Sequence, residues 1–286
     1  MASRKQVTAY ASQAKSTLRT AVRQTGFDVV RRRPGFETPG MDALAVSTIR
    51  EISPYTMTDP AKIFALIQAV RYLVNNKIPG DIVECGVWAG GSTMAAARTL
   101  IQAGDMSRHL YLFDTFEGMT APTGVDVAPD GQTAEQLLAR SDPDDPASAW
   151  SIMPLEQVME NVARIGYPED RIHFVKGPVE ETVPGQAPRR IALLRLDTDW
   201  YESTRHEMEN LYPRITPSGV LIVDDYGWWK GSQQAVDAYI AAHRIPILLN
   251  RMGSECGAIG VVPAASPAPT PAPARPRIVP TTTNDC

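Results

Sequence analysis

Ile191-Ala-Leu-Leu-Arg-Leu-Asp197 and Gly219-Val-Leu-Ile-Val-Asp-Asp225 are two apolar runs that end in acid. Each is short, rich in Leu, Ile or Val and bounded by turn chemistry, so each reads as a buried strand. In an open parallel sheet the carboxyl ends of the strands line the ligand crevice. Asp197, Asp224 and Asp225 are therefore expected to gather there, in a poorly solvated place where carboxylates repel one another. A hard divalent cation such as Mg²⁺ takes oxygen ligands and removes that repulsion, which makes the three a candidate metal set.

Working outward, Asp59-Pro60 opens a helical pattern with Ile63, Leu66, Ile67, Val70, Leu73 and Val74 at helix spacing, and Pro79-Gly80 closes it. Asp81 to Cys85 reads as the first core strand, followed by a Gly-rich turn and a helix over about 92–103. His109 to Phe113 is the second strand, Arg171 to Val175 the third, Ile191 to Leu196 the fourth and Val220 to Val223 the fifth. Further helices are expected over about 155–165 and 203–212 and from about Gly231. Ile247 to Leu249 and Ala258 to Val262 are expected to form a closing antiparallel pair. Alternating strand and helix imply an α/β fold, with a mostly parallel sheet covered by helices on both faces. The stretch 117–151, rich in Pro, Gly and Asp, is too long for an ordinary connection and reads as a lid or substrate loop.

The chain has 286 residues, 43% hydrophobic and 21% charged, as expected of a soluble globular protein. A net charge of −4 argues against a nucleic-acid surface. No apolar stretch is long enough to span a bilayer, and the start of the chain lacks the apolar core of a secretory signal. Cys85, Cys256 and Cys286 form no metal pattern, so reduced thiols and a cytoplasmic location are the simplest reading. Arg4, Lys5, Lys15, Arg19, Arg23 and Arg31 to Arg33 make the N-terminal segment basic, and its weak apolar stripe favours a solvated helix or tail over a membrane or import face. Residues 264–286 are dominated by Pro and Ala, cannot bury enough surface to order, and read as a disordered tail.

Glu84-Cys-Gly-Val-Trp-Ala-Gly-Gly-Ser92 joins the first strand to the first helix of the sheet. Gly86 and Gly90 allow a tight turn and close approach to a ligand. Ser92 lies at a helix N-terminus, which favours a carboxylate or phosphate, and Glu84 can accept from an ammonium group. An amino-acid moiety needs both. Asp114 ends the second strand, where an acid binds ribose hydroxyls, although it can also cap the turn before Phe116. Gly177 to Val179, after the third strand, is placed to contact an adenine. The loop departs from G-x-G-x-x-G, so the set fits S-adenosylmethionine better than NAD.

Val83-Glu-Cys-Gly-Val-Trp-Ala-Gly-Gly-Ser-Thr93, Phe113-Asp-Thr-Phe-Glu-Gly-Met119, Leu196-Asp-Thr-Asp-Trp-Tyr-Glu-Ser-Thr204 and Val223-Asp-Asp-Tyr-Gly227 resemble the macrocin O-methyltransferase family, and the likeness runs from about Tyr55 to Val262. A more distant likeness is to catechol O-methyltransferases. The resemblance implies a Rossmann-like class I methyltransferase fold with seven strands, methylation of a sugar hydroxyl on a glycosylated natural product, and frequent dimers or tetramers. It also implies a division into an N-terminal helical extension or lid (1–54), a methyltransferase domain (55–263) and the tail (264–286). By position, Glu84, Gly86, Trp88, Gly90, Ser92, Thr93, Asp114, Gly177, Val179 and Asp197 would bind the donor, with Thr56 and Met57 of Tyr55-Thr-Met-Thr58 closing over it. Asp197, Asp224 and Asp225 would hold Mg²⁺. The catechol enzymes place a lysine base just after the first metal aspartate; here Thr198-Asp199-Trp200 stands in its place.

A sugar hydroxyl is a poor nucleophile until deprotonated, and a cation on adjacent hydroxyls lowers the pKa of one. Asp197 is the first candidate to take the proton, Asp199 the second and His206 the third. For His206, and equally for His109, His173 and His243, a surface or structural role is expected ahead of catalysis. Trp88, Trp200, Tyr201, Tyr226, Trp228 and Trp229 fall near the strand ends and suit a sugar or polyketide acceptor, or core packing. A surface-glycan sugar or a phenolic diol would satisfy the same chemistry. An NAD-dependent oxidoreductase and a non-catalytic S-adenosylmethionine-binding protein are the readings from other classes.

Overall fold

The computed structural model describes residues 40–145, 148–253 and 256–264. The basic N-terminal segment up to Arg33 and the stretch 265–286, with Cys286, lie outside the described residues. The strands are β1 (Asp81–Cys85), β2 (Leu110–Asp114), β3 (Ile172–Lys176), β4 (Ile191–Leu196), β5 (Ile215–Val223), β6 (Asn250–Arg251) and β7 (Ala258–Val261). They form one sheet in the order β3-β2-β1-β4-β5-β7-β6. β1 to β5 are parallel to one another, while β7 runs antiparallel to β5 and to β6. The strand order reverses at β1 and β4, the switch point where such sheets bind ligands. Cys85 is the register partner of Leu196, and Leu196 of Val223, so the acids that follow these strands emerge side by side.

The helices are α1 (Ala43–Ile52), α2 (Pro60–Asn75), α3 (Gly91–Ala103), α4 (Ala134–Arg140), α5 (Leu155–Ala163), α6 (Val179–Thr182), α7 (Tyr201–Asn210) and α8 (Lys230–His243). Two cores sandwich the sheet, because successive strand residues point to opposite faces. Ile82, Leu193 and Ile222 pack with Ile49 of α1, Ile67 of α2 and Leu100 of α3. Val83, Leu194 and Leu221 pack on the other face with Met208 of α7 and Val236 of α8. Every residue of β4 is buried, which is why its sequence reads as one run rather than an alternation. Asp59 accepts from Ala61 N–H and Pro60 opens α2, the expected helix start.

Several boundaries differ from the sequence expectation, most by a residue or two. β5 begins at Ile215, not Val220: Thr216-Pro217-Ser218-Gly219 breaks the apolar pattern, and the ladder to β4 shifts register there. The outer strand that pairs with β7 is Asn250–Arg251 rather than Ile247 to Leu249, because the ladder pairs are Asn250 with Ile259 and Arg251 with Ala258. α7 starts at Tyr201, two residues before Ser203. Within 117–151 lies α4, and Ala128, Ala134 and Leu138 of this segment form a third small core with Trp200 and Trp229. Among the described residues, no helix is long and apolar enough to cross a membrane.

Leu193 is fully buried in the central strand. Leu193→Ala is expected to lower stability by about 2–5 kcal/mol through lost transfer energy and a cavity. A urea melt would show a lower midpoint with unchanged slope; a changed slope would point instead to a partly unfolded variant.

Candidate active site

The chain turns after β1 at Gly86, with φ +81°, a conformation glycine adopts without strain. A Cβ at Gly86 would overlap the Asp197 carbonyl, and Asp197 N–H donates to Cys85 O at 2.8 Å. The glycine loop and the end of β4 thus touch backbone to backbone. Gly90 (φ +92°) opens α3 without a side-chain cap, leaving its first N–H groups available and Ser92 buried in the first turn. A Cβ at Gly91 would lie 2.6 Å from Thr56 Cβ, so Tyr55 to Thr58 crosses directly over this helix start. Thr58 N–H donates to Thr56 Oγ1 at 3.0 Å, and Met57 is 53% exposed.

Asp114, at the end of β2, accepts from Val87 N–H (2.6 Å), Trp88 N–H (3.1 Å) and Phe116 N–H (2.7 Å). It both caps the turn to Phe116 and holds the glycine loop. Trp88 (φ +45°) and Phe116 (φ +53°) sit in a region that non-glycine residues rarely occupy, and Asp114 bonds both amides. Gly177 N–H donates to Asp114 O at 2.9 Å. The Val179 side chain is buried in the core with Val175 and Val183.

Beside this loop lies a buried ionic cluster. Arg195 of β4 donates to Glu84 (2.8 Å), Asp197 (2.7 Å), Asp224 (2.7 Å) and Thr58 Oγ1 (3.0 Å). Thr93 Oγ1 donates to the other oxygen of Glu84. Lys62 of α2 donates to Asp224 Oδ2 (2.8 Å), Asp224 O (2.9 Å) and Cys256 Sγ (3.0 Å). One ligand oxygen from each of Asp197, Asp224 and Asp225 falls within 4.8 Å of the others.

Two cations face five carboxyl groups here, so the acids are only partly neutralised. Burial pushes Glu84 up to about 7 against the opposing pull of Arg195. Burial raises Asp197 to about 6, with Arg195 opposing and Asp224 adding to the rise. Burial and the Asp197 charge raise Asp199 to about 7. Asp225 is pushed well above the usual carboxylate range by burial and then by Asp199. Only Asp224 is held below it: burial acts to raise it, but Arg195 and Lys62 outweigh that. An all-oxygen donor set with surplus negative charge is the chemistry a hard divalent cation requires, so these residues fit Mg²⁺.

Asp199 adopts φ +65° and its Oδ1 accepts from Trp229 Nε1 at 2.8 Å. It also hydrogen-bonds Asp225. Thr198, between the two acids, donates to the fully buried Glu207 at 3.1 Å. His206 bonds Val183 O at 3.0 Å rather than any of these acids. His109 and His173 bond each other at 2.7 Å at the amino ends of β2 and β3, far from the crevice end. Trp200 and Trp229 are buried at a ring separation of 5.0 Å, whereas Trp228 is 40% exposed. The sequence reading missed Arg195, Lys62 and Glu207. Arg195 carried a signal, since a charge inside a buried strand requires partners. Lys62 carried none, because a lysine on a surface helix is ordinarily solvated.

A family model described as macrocin O-methyltransferase (TylF) matches residues 3–258. The chain is 36% identical over 172 residues to the 8-demethyl-8-(2,3-dimethoxy-alpha-L-rhamnosyl)-tetracenomycin-C 4'-O-methyltransferase of Streptomyces olivaceus, covering 60% of this chain and 62% of that relative. It is 31% identical over 188 residues to the demethyldecarbamoylnovobiocin O-methyltransferase of Streptomyces niveus, covering 65% of this chain and 68% of that relative. The solved structure of the O-methyltransferase NovP superposes with a TM-score of 0.62 and 29% identity over 73% of this chain and 83% of that one. The match thus spans just under two thirds of the first relative's length. The mostly parallel seven-stranded sheet is that of class I O-methyltransferases. The chain belongs to the macrocin O-methyltransferase family.

Asp225→Asn removes one of the crowded acids. Without metal it is expected to melt about 2–4 °C above the parent, the shift of about 1 kcal/mol in a chain of this size. Saturating Mg²⁺ is expected to raise the melting temperature of the parent and not that of the variant. Scanning fluorimetry in chelator and in MgCl₂ checks both; a metal response equal to the parent's would remove Asp225 from the metal set.

Proposed function

We propose that this chain transfers a methyl group from S-adenosylmethionine to a hydroxyl of a sugar, a deoxysugar on a glycosylated natural product, with a divalent cation such as Mg²⁺. The observation that carries the reading is the convergence of Asp197, Asp224 and Asp225 next to the Gly86 loop at the switch point of the sheet. Family membership supports it, and so do the relatives, whose names describe methyl transfer to glycosylated tetracenomycin and to a novobiocin precursor.

In this reading Glu84, Gly86, Trp88, Gly90, Ser92, Thr93, Asp114, Gly177 and Val179 surround the donor, and Thr56 and Met57 close over it. The uncapped start of α3 faces the donor's carboxylate end. Asp197, Asp224 and Asp225 hold the cation, which when bound supplies Lewis-acid stabilisation of an acceptor oxyanion. Arg195 and Lys62 fix the orientation of Asp197 and Asp224 from behind, leaving their remaining lone pairs for the cation. Asp199 takes the acceptor proton: its Oδ1 is fixed by the Trp229 indole, and it stands one residue beyond Thr198, which is braced on Glu207. Asp197 is the other candidate for that step; Arg195 holds its Oδ2 and leaves Oδ1. The acceptor oxygen forms the new bond to carbon as the carbon–sulfur pair leaves on sulfur, in line. Burial of Trp200 and Trp229 beside Asp199 keeps water from that side of the site.

Two measurements test the reading. Calorimetry of metal-stripped protein is expected to show saturable binding of S-adenosylhomocysteine and none of NAD⁺; binding of NAD⁺ alone overturns it. Methyl transfer from labelled donor to glycosides bearing adjacent hydroxyls is expected to stop in chelator. The double variant Asp224→Asn, Asp225→Asn should lose turnover by about 10³-fold or more, the several kcal/mol a catalytic cation supplies, while keeping its affinity for S-adenosylhomocysteine.

A further inference from the structure

The segment between β2 and α5 reaches the reaction centre through a buried carboxylate, Asp126, among other contacts. Asp126 is 0% exposed. Its Oδ1 accepts from the N–H of Tyr201, the first residue of α7, at 2.8 Å. Its Oδ2 accepts from Thr123 N–H (2.7 Å) and from the Thr123 hydroxyl (2.8 Å). The next residue acts on a second helix: the N–H of Lys230, which opens α8, donates to Val127 O at 3.1 Å. Neither helix has a side-chain cap of its own, because the capping positions are Trp200 and Trp229, whose indoles donate only. Asp126 and Val127 therefore supply acceptors that the first turns of α7 and α8 lack. The fit against α8 is tight, since a Cβ on Gly231 would overlap Asp126 Oδ1.

The same two indoles border Asp199. Trp229 Nε1 donates to its carboxylate, and Trp200, which follows it in the chain, donates from Nε1 to Thr120 O at 3.0 Å. α7 is the direct continuation of the loop carrying Asp197 and Asp199, and α8 of the loop carrying Asp224 and Asp225. Asp126 and Val127 tie the starts of these two helices to one point. An apolar side chain would fill the volume at Asp126 equally well; three directed donors on a fully buried carboxylate fix direction as well as volume.

We propose that Asp126 is a positioning residue for the reaction centre, which sets the spacing of the Asp199 and Asp225 loops by capping α7 against the start of α8. The order of the 117–151 segment is thereby linked to the readiness of the site. Asp126 itself touches neither donor nor acceptor. This rests on the reading of the two acid-bearing loops as the reaction centre.

The test compares the full chain with Asp126→Ala, Asp126→Asn and Gly231→Ala by hydrogen–deuterium exchange, near-ultraviolet circular dichroism and calorimetry with S-adenosylhomocysteine. Asp126→Asn keeps one acceptor for Tyr201 N–H but turns an amide NH₂ toward the Thr123 donors. In Asp126→Ala, exchange over 198–206 and 228–236 is expected to quicken by about tenfold, while 86–96 stays as in the parent. The dichroism of the Trp200–Trp229 pair should fall, S-adenosylhomocysteine affinity should stay unchanged, kcat for methyl transfer should fall about tenfold with KM for the donor unchanged, and Asp126→Asn should lie between. A parental kcat with quickened exchange overturns the positioning role. Gly231→Ala should reproduce the pattern from the other side of the contact. Parental exchange in both segments, or an acceleration spread evenly over the protein, overturns the proposal. If Asp126→Ala does not fold, Asp126→Asn and Gly231→Ala carry the same comparison. If S-adenosylhomocysteine binds neither parent nor variant, the donor reading fails while the exchange pattern still decides the role of Asp126.

Discussion

Arg195 donates from one buried guanidinium to Glu84 at the end of β1, Asp197 at the end of β4 and Asp224 at the end of β5. The three strands are adjacent in the sheet, so this single group holds together the crevice end of its centre. The planar fork of an arginine can satisfy several carboxylates at once, where a lysine offers a compact point charge. Breaking such a buried network by removing one partner leaves uncompensated charge and costs about 3–5 kcal/mol. The positions of Glu84, Asp197 and Asp224, one candidate donor-binding acid and two candidate metal-binding acids, follow from this one contact.

Arg195 and Lys62 neutralise only part of the cluster. A protein that needed nothing but stability would replace such a group with apolar residues, since buried ion pairs seldom outperform good packing. Here burial, with the neighbouring carboxylates adding to it, holds Asp197, Asp199 and Asp225 above their ordinary range and so disfavours the charged form of each. The strained backbone at Asp199, Trp88 and Phe116 lies at the same place. Local strain and crowded charge at one end of an otherwise conventional sheet are what a functional site requires of its surroundings.

The rest of the molecule is arranged to support that end. The glycine loop lies against Asp197 because Gly86 lacks a side chain, and Tyr55 to Thr58 crosses the start of α3 because Gly91 lacks one. The 117–151 segment is more than a connection: it buries Trp200 and Trp229 in a core of its own and fills the caps of two helices. Where a helix begins on a tryptophan, its first amides need acceptors from elsewhere, and a sequence-distant insertion provides them.

The sequence by itself determined the sheet class, the two strand-end acid motifs and the glycine loop. These are local patterns: an apolar run followed by an acid, or a glycine where the chain must turn, is recognisable without knowing its neighbours. The start of β5 at Ile215 and the short outer strand at Asn250–Arg251 were hidden, because a bulge and an edge pairing leave no apolar periodicity. The partners of the acids were decided only by the tertiary structure. Arg195 meets Glu84 across 111 residues, and Lys62 meets Asp224 across 162. Tyr201 meets Asp126 across 75 residues. A carboxylate in the sequence announces that it needs a partner. Which cation or amide satisfies it depends on strand order, register and helix placement, and these exist only once the chain is folded.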